Sequence, residues 1–132
     1  MGLRCIRKIY LKYFFGQTAT YTLAAELARG LYAGLPADER EFAFTTLVYP
    51  AELMRDLSDW CGEIIRTHES QALGDRASAR AHAEAALARI DAILARAADY
   101  CAGQWENWYR DCRKINLKGL REQTSVLLGK LK

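Results

Sequence analysis

Aromatic and cationic side chains are concentrated near the end of the chain, in residues 103–123. At helical spacing, the two tryptophans fall on one face and the cations line another. The residues of this predicted binding surface are Trp105, Trp108, Tyr109, Arg110, Lys114, Lys118 and Arg121. Aromatic rings beside cations can stack on unpaired bases and contact phosphates, or they can dock against another polypeptide.

Few groups have the types and spacing that catalysis requires. Asp56 precedes Asp59 and Glu63 by three and seven residues, a spacing common on any exposed helix face. Cys112 lies among cations that would activate an exposed thiol, but its position on the tryptophan face favours a buried, inert side chain. The sequence has no phosphate-binding glycine loop, GxSxG elbow or HExxH motif. We therefore expect no catalytic activity from this chain on its own.

The sequence also predicts no metal site and no cofactor. His68 and His82 are far apart and have no carboxylate partners at ligand spacing. The four cysteines show no CxxC pattern, and the N-terminus lacks the apolar core of a signal peptide. We therefore expect reduced thiols and a cytoplasmic protein. No stretch approaches the roughly 18 uncharged apolar residues of a membrane span, so we expect no transmembrane segment.

The net charge of +3 is unevenly distributed along the chain. Residues 1–16 carry four Lys or Arg and no acid, residues 104–132 are also basic, and the central region is acidic. Basic ends that meet in a bundle could bind nucleic acid, and a basic N-terminal helix could lie on an anionic membrane. The modest net charge favours instead a partner protein or a homo-oligomer.

Helical spacing dominates the first half of the chain. Residues 3–15 fit a helix, although their alternating apolar residues leave a strand as the open alternative. Gly16 is expected to break the pattern before a second helix, whose buried side is marked by Leu23, Leu27 and Leu31 and which stops at residues 34–36. Pro36 then starts a third helix with near-heptad apolar spacing from Phe42 to Ile64, which Pro50 should bend.

The second half continues in the same way. Residues 70–75 contain Gly74 and are expected to form a turn, after which Asp75 or Ser78 caps an alanine-rich helix that runs to about Cys101. The inward positions predicted for that helix are Leu87, Ile90, Leu94, Ala97 and Cys101. Gly103 separates it from the tryptophan segment, which is expected to be helical.

These patterns predict an all-α protein, built as an antiparallel bundle of four main helices with a fifth if residues 3–15 are helical. A chain of 132 residues forms a single domain, residues 1–132, and buries roughly two thirds of its unfolded surface. The predicted core residues are Leu23, Leu27, Leu53, Leu57, Trp60, Ile64, Leu87, Ile90 and Leu94.

Part of this order of elements resembles a known family. The run Phe44-Thr45-Thr46-Leu47-Val48-Tyr49-Pro50, then a long helix, an alanine-rich helix and Gly103-Gln104-Trp105, is similar to the helical region that follows the catalytic barrel in glycoside hydrolase family 115, the xylan α-glucuronidases. The match covers roughly residues 36–108. Gln104 stands where the family has lysine, and the continuation after Trp105 differs from the family.

The resemblance implies a helical accessory module rather than an enzyme. In that family the barrel supplies the catalytic machinery, and the helical layer serves packing and assembly. None of the matched positions corresponds to the family's acid or base, so the resemblance assigns no catalytic residue to this chain. It implies a module that docks to itself or to a partner polypeptide, with a small basic nucleic-acid-binding bundle as the alternative.

Overall fold

The computed structural model describes the backbone of residues 3–100 and 116–131, and the side chains of residues 16–99 and 116–131. Its elements are α1 (Leu3–Ala33), α2 (Ala37–Ala43), a π-helical segment (Phe44–Val48, the π segment), α3 (Tyr49–Ala72), α4 (Arg76–Tyr100) and α5 (Leu117–Gly129). The described residues contain no strand, so the all-α prediction is confirmed. No helix among them combines the length and apolar character that crossing a membrane requires.

Helix α1 runs without a break from Leu3 to Ala33, so the predicted interruption at Gly16 is wrong. The backbone of residues 3–15 is helical and continues into the predicted second helix. A glycine inside a helix costs only about 1 kcal/mol relative to alanine, which is too little to end a long helix by itself. The predicted stop is confirmed, because α1 ends in a turn in which the Gly34 amide donates to the Leu31 carbonyl at 3.1 Å.

The contacts within the chain group into two compact units, Met1–Ser58 and Asp59–Lys132, whose boundary falls inside α3. In the first unit, Thr18 bonds Ser58 at 2.7 Å and Arg29 pairs with Glu52, so α1 and α3 are antiparallel. In the second unit, His82 contacts Glu63 and Arg89 contacts Asp59, which makes α3 and α4 antiparallel too. The prediction of antiparallel helices is confirmed, whereas the single-domain prediction stays a prediction.

The second unit is built around the small residues of α4. Its buried positions follow alternating steps of four and three residues: Ala79, Ala83, Ala86, Ile90, Ile93 and Ala97. Burial of Ile90 and Ala97 was predicted and is confirmed, but Leu87 and Leu94 are only half-buried. Alanines on the buried face let a neighbouring helix approach closely, so the larger leucines lie at its edges.

Helix α5 packs on α4, and its buried residues are Leu117 and Thr124. The Trp60 indole Nε1 donates to the Thr124 hydroxyl at 3.1 Å, and that hydroxyl donates to the Leu120 carbonyl at 2.7 Å. The half-buried Trp60 therefore has its polar atom satisfied inside the unit. An added Cβ at Gly119 would lie 2.8 Å from Asn116 Nδ2, so a larger residue there would have to displace the end of the capping side chain.

The predicted third helix is divided into three elements. Helix α2 is short, the π segment follows it, and α3 begins at Tyr49, one residue before Pro50. Proline lacks the amide that would bond the carbonyl of residue 46, and the Tyr49 amide donates five residues back to Phe44 instead of four. The hydroxyl of Thr46 donates to the Phe42 carbonyl at 2.6 Å. This bond gives the carbonyl a partner where the backbone hydrogen bonds change from four-residue to five-residue steps.

The turn between α3 and α4 forms as predicted, around Gly74 at φ 76°. The Asp75 amide donates to the Ser70 carbonyl at 2.9 Å and the Gly74 amide donates to Gln71 at 3.0 Å, which is the Schellman arrangement of a helix end. Asp75 then caps α4, because its Oδ1 accepts the Ser78 amide at 3.0 Å. One residue thus closes the turn and starts the next helix.

We expect Asp75→Ala to lower the melting temperature at neutral pH and Asp75→Asn, which keeps the acceptor, to lower it less. Hydrogen bonds from Ser78, backbone first, lower the pKa of Asp75. The stabilisation by the charged carboxylate is therefore complete above the ordinary aspartate pKa and is lost as the pH falls through the lowered folded-state value. Thermal melts at a series of pH values should show the gap between wild type and Asp75→Ala closing in acid. A gap that is constant with pH would contradict this cap.

Candidate interaction surface

Helix α1 buries its alanines and exposes its leucines. Ala25 and Ala28 are 1% and 3% exposed, and Tyr21 and Tyr32 on the same side are half-buried. On the opposite side the exposed fractions are 56%, 60% and 63% for Leu23, Leu27 and Leu31. We call these three residues the leucine face. The prediction that Leu23, Leu27 and Leu31 mark the buried side is therefore wrong.

The orientation of α1 is fixed by polar and aromatic contacts on its alanine side. Arg29 Nε and Nη2 donate to Glu52 Oε1 and Oε2 at 2.5 and 3.0 Å, and the Glu52 side chain is almost fully buried. The Arg29 guanidinium also lies 5.4 Å from the centre of the Phe44 ring. Tyr32 packs edge-on against that ring at 6.0 Å. Rotating α1 to bury the leucines would break each of these contacts.

The same contacts give a structural role to the run that carries the family resemblance. Phe44 opens the π segment, and its ring packs against Tyr49 at 6.5 Å as well as Tyr32. Val48 and Tyr49 are buried, and Leu47 is exposed. Residues 44–50 therefore form the platform against which α1 packs. Phe42, which the spacing predicted to face inward, is exposed on α2.

Small and apolar residues surround the leucine face. By helical geometry, Gly16, Ala19, Thr20, Ala24 and Gly30 lie on the same side of α1. Each of these five positions is exposed, and an added Cβ at Gly16 or Gly30 would meet no atom within 4 Å. The described part of this side thus presents no charged residue, and Glu26 lies beside it. Such a surface can pack against an apolar partner but offers nothing to a charged ligand.

A polar cluster centred on Glu63 lies in the second unit. Glu63 Oε2 is 2.8 Å from His82 Nδ1, and Oε1 is 3.3 Å from Arg66 and 3.7 Å from Arg89. Glu63 is buried rather than on an open helix face, and His82 does have a carboxylate partner, so both predictions about them need correction. Both oxygens of Glu63 are thus engaged by side chains of the same unit. The arrangement is that of a structural ion-pair network.

The described residues hold no group of three or more histidines, cysteines and acids that could bind a metal ion. Cys61 is a free, half-buried thiol, and burial raises its pKa. A raised pKa keeps the thiol protonated at neutral pH and makes it a poor nucleophile.

Most of the predicted binding surface lies outside the described residues: Trp105, Trp108, Tyr109, Arg110 and Lys114. Lys118 and Arg121 are on α5 and exposed, and Arg121 Nε donates to Asp91 Oδ1 of α4 at 2.6 Å. Asn116 is not helical, with φ −88° and ψ 83°, and its side chain accepts the Gly119 amide as the cap of α5. Helix α5 therefore begins at Leu117, and the binding surface as a whole stays a prediction.

Sequence reasoning missed the exposure of the leucine face. The signal that could have found it is the presence of two apolar sides on α1, one of leucines and one of alanines and tyrosines. Comparison of the chain with protein-family models, with curated proteins and with solved structures finds no match.

Proposed function

We propose that this chain is a non-catalytic helical interaction module that docks through the leucine face of α1, either to itself or to a partner polypeptide. The observation that supports the proposal is the inverted packing of α1, in which Ala25 and Ala28 are buried while Leu23, Leu27 and Leu31 are more than half exposed. Apolar residues at adjacent turns of one helix form a contiguous patch, which marks an interaction site more often than isolated exposed leucines do.

The magnitude of the hydrophobic effect supports docking through the leucine face. Burying one leucine side chain is worth about 1.5–3 kcal/mol, whereas an alanine offers far less apolar area. In α1 this free energy is not gained at Leu23, Leu27 and Leu31, because the Arg29–Glu52 pair and the contact with Phe44 hold the opposite side of the helix inward. A docking partner that covers the leucines would recover the gain without disturbing those contacts.

The assignment of a non-catalytic role rests on the polar groups of the described core. Glu63 contacts His82, Arg66 and Arg89, and Glu52 accepts a bidentate pair from Arg29. Carboxylates engaged in this way by neighbouring side chains are poorly placed to accept a proton from a substrate. We retain the relation to the accessory region of family 115 glycoside hydrolases and a cytoplasmic location as parts of this proposal.

The proposal is tested by changing the leucine face without changing the fold. We expect Leu27→Glu to shift the free energy of unfolding by no more than about 0.5 kcal/mol, as for other exposed positions, while removing the apolar surface. Fluorescence of an apolar dye, measured at the lowest protein concentration that gives a signal, should fall in this variant. Leu73→Glu, in the turn after α3, is a matched control that should leave α1 unaffected. Unchanged dye binding, or unfolding by Leu27→Glu, would contradict an exposed docking face.

The nucleic-acid alternative makes a different prediction for α5. In the described part of α5, Arg121 is already paired with Asp91, and Lys118 is the other exposed cation of the predicted binding surface. We therefore expect no binding of single-stranded DNA or RNA at physiological salt, and no change with Lys118→Glu. Fluorescence anisotropy over a salt series tests this. Binding that Lys118→Glu weakens, with a log-log salt slope smaller by roughly 0.7–0.9, would favour the alternative.

A further inference from the structure

Two residues of the leucine face, Leu23 and Leu27, are the centre of a regular row along α1. Steps of four and three residues alternate from Gly16 onward: Gly16, Thr20, Leu23, Leu27, Gly30 and, just after the helix end, Gly34. This alternation is the spacing of the a and d positions of a coiled coil, which keeps one seam of a helix facing a partner helix. The buried side of α1 has its own row at Tyr21, Ala25, Ala28 and Tyr32, so the helix has two seams.

We propose that the partner of the exposed seam is a second copy of this chain, bound through an antiparallel pair of α1 helices. The row has nearly the same order of sizes in both directions, small residues at its ends and leucines at its centre. When two copies are aligned about the midpoint of Leu23 and Leu27, each Leu23 lies opposite the Leu27 of the other copy. Thr20 then lies opposite Gly30, which matches small residues with small residues. A two-fold axis requires this self-complementarity of a single surface.

The space and charge along the seam also fit a second copy. An added Cβ at Gly16 or Gly30 would meet nothing within 4 Å, so another helix backbone can approach both ends of the row closely. The described seam residues carry no charge, and pairing them therefore places no ionised group in an apolar contact. A strongly charged partner would lose solvation against this surface and gain no ion pair from it.

The register fixes how much of α1 takes part in such a pair. Alignment about residue 25 places Ala33, the last residue of α1, opposite Gln17, so residues 17–33 of the two helices overlap. At 1.5 Å per residue this overlap is about 25 Å long, or about two and a half heptads. The pair is therefore short, and Leu23 and Leu27 lie at the centre of the overlap.

This inference rests on the proposed function and names the occupant of its docking face. The experiment is sedimentation equilibrium of the full chain over a wide concentration range, with Leu23→Glu and Leu27→Glu as test variants. Leu73→Glu introduces the same charge at a residue that is 75% exposed and lies outside α1, so it is the matched control. We expect wild type and control to form dimers with equal dissociation constants, and each seam variant to raise the dissociation constant at least about tenfold.

Four outcomes separate this inference from the proposed function. Loss of the dimer in the seam variants alone, with helical circular dichroism retained, supports both. A dimer that persists in the seam variants overturns pairing through α1 but leaves an interaction module. A monomeric wild type that binds an apolar dye, and loses that binding in the seam variants, overturns the second copy as partner while the docking face stands. A monomeric wild type without dye binding overturns both proposals.

Discussion

Replacing Ile90 with alanine should lower the free energy of unfolding by about 2–5 kcal/mol, the range measured for truncating buried aliphatic side chains. Ile90 is 0% exposed and lies at the centre of the α4 row between Ala86 and Ile93. Its neighbours along the row are mostly alanines, whose short side chains cannot rearrange to fill the space left by the missing atoms. Urea unfolding followed by far-UV circular dichroism measures the loss.

A matched control lies in the same unit. Val126 is an exposed apolar residue of α5, and Val126→Ala should change the free energy of unfolding by no more than about 0.5 kcal/mol. Leu57 was expected to match Ile90, but it is half-buried, so Leu57→Ala should fall below the loss at Ile90. Equal effects of Ile90→Ala and Val126→Ala would mean that α4 does not turn its alanine row inward.

The second large effect is expected at the ion pair that orients α1. Arg29→Ala leaves the buried Glu52 carboxylate without its bidentate partner. Breaking a buried pair from one side costs about 3–5 kcal/mol, and because the Arg29 side chain is half exposed we expect about 2–4 kcal/mol. The same urea unfolding experiment gives the value.

Two further variants show whether the lost stability of Arg29→Ala comes from the unpaired charge. Glu52→Gln combined with Arg29→Ala removes both charges and should restore part of the stability, because no unpaired buried charge remains. Arg80→Ala breaks an exposed pair with Glu84 four residues away, and it should cost less than about 1 kcal/mol. If Arg29→Ala costs no more than Arg80→Ala, the Arg29–Glu52 pair does not determine which side of α1 is buried.

The elements that sequence predicted well are those defined by local chemistry. Gly74 adopts the left-handed conformation that ends α3, and Asp75 caps α4, because both effects depend on neighbours within a few residues. The stop after α1 follows in the same way. The all-α fold was predicted because apolar residues recur at steps of three and four residues, the spacing of a helix.

The interruption of the helix before Pro50 was predicted less completely. Proline explains why the α-helical bonding cannot continue through residue 46, but the sequence alone did not show that the register would change before it. The π segment places Phe44 against Tyr32 and Tyr49, so contacts with another helix select the local conformation. The error at Gly16 is similar, because a cost of about 1 kcal/mol does not by itself end a 31-residue helix.

By itself, the sequence determined that this protein is all-α, that α1 stops after Ala33, that Gly74 and Asp75 join α3 to α4, and that Ile90 and Ala97 are buried. Tertiary structure alone decided which side of α1 is buried. Leucine spacing indicates an apolar side, but α1 has two apolar sides. Larger side chains gain more from burial, so residue size alone predicts that the leucine side is buried, and the structure buries the alanine side instead. The choice depends on Glu52, Phe44 and Ser58, which are remote in sequence and engage Arg29, Tyr32 and Thr18. Because a buried carboxylate requires its cation and close helices require alanines at their contact, the leucines were left exposed.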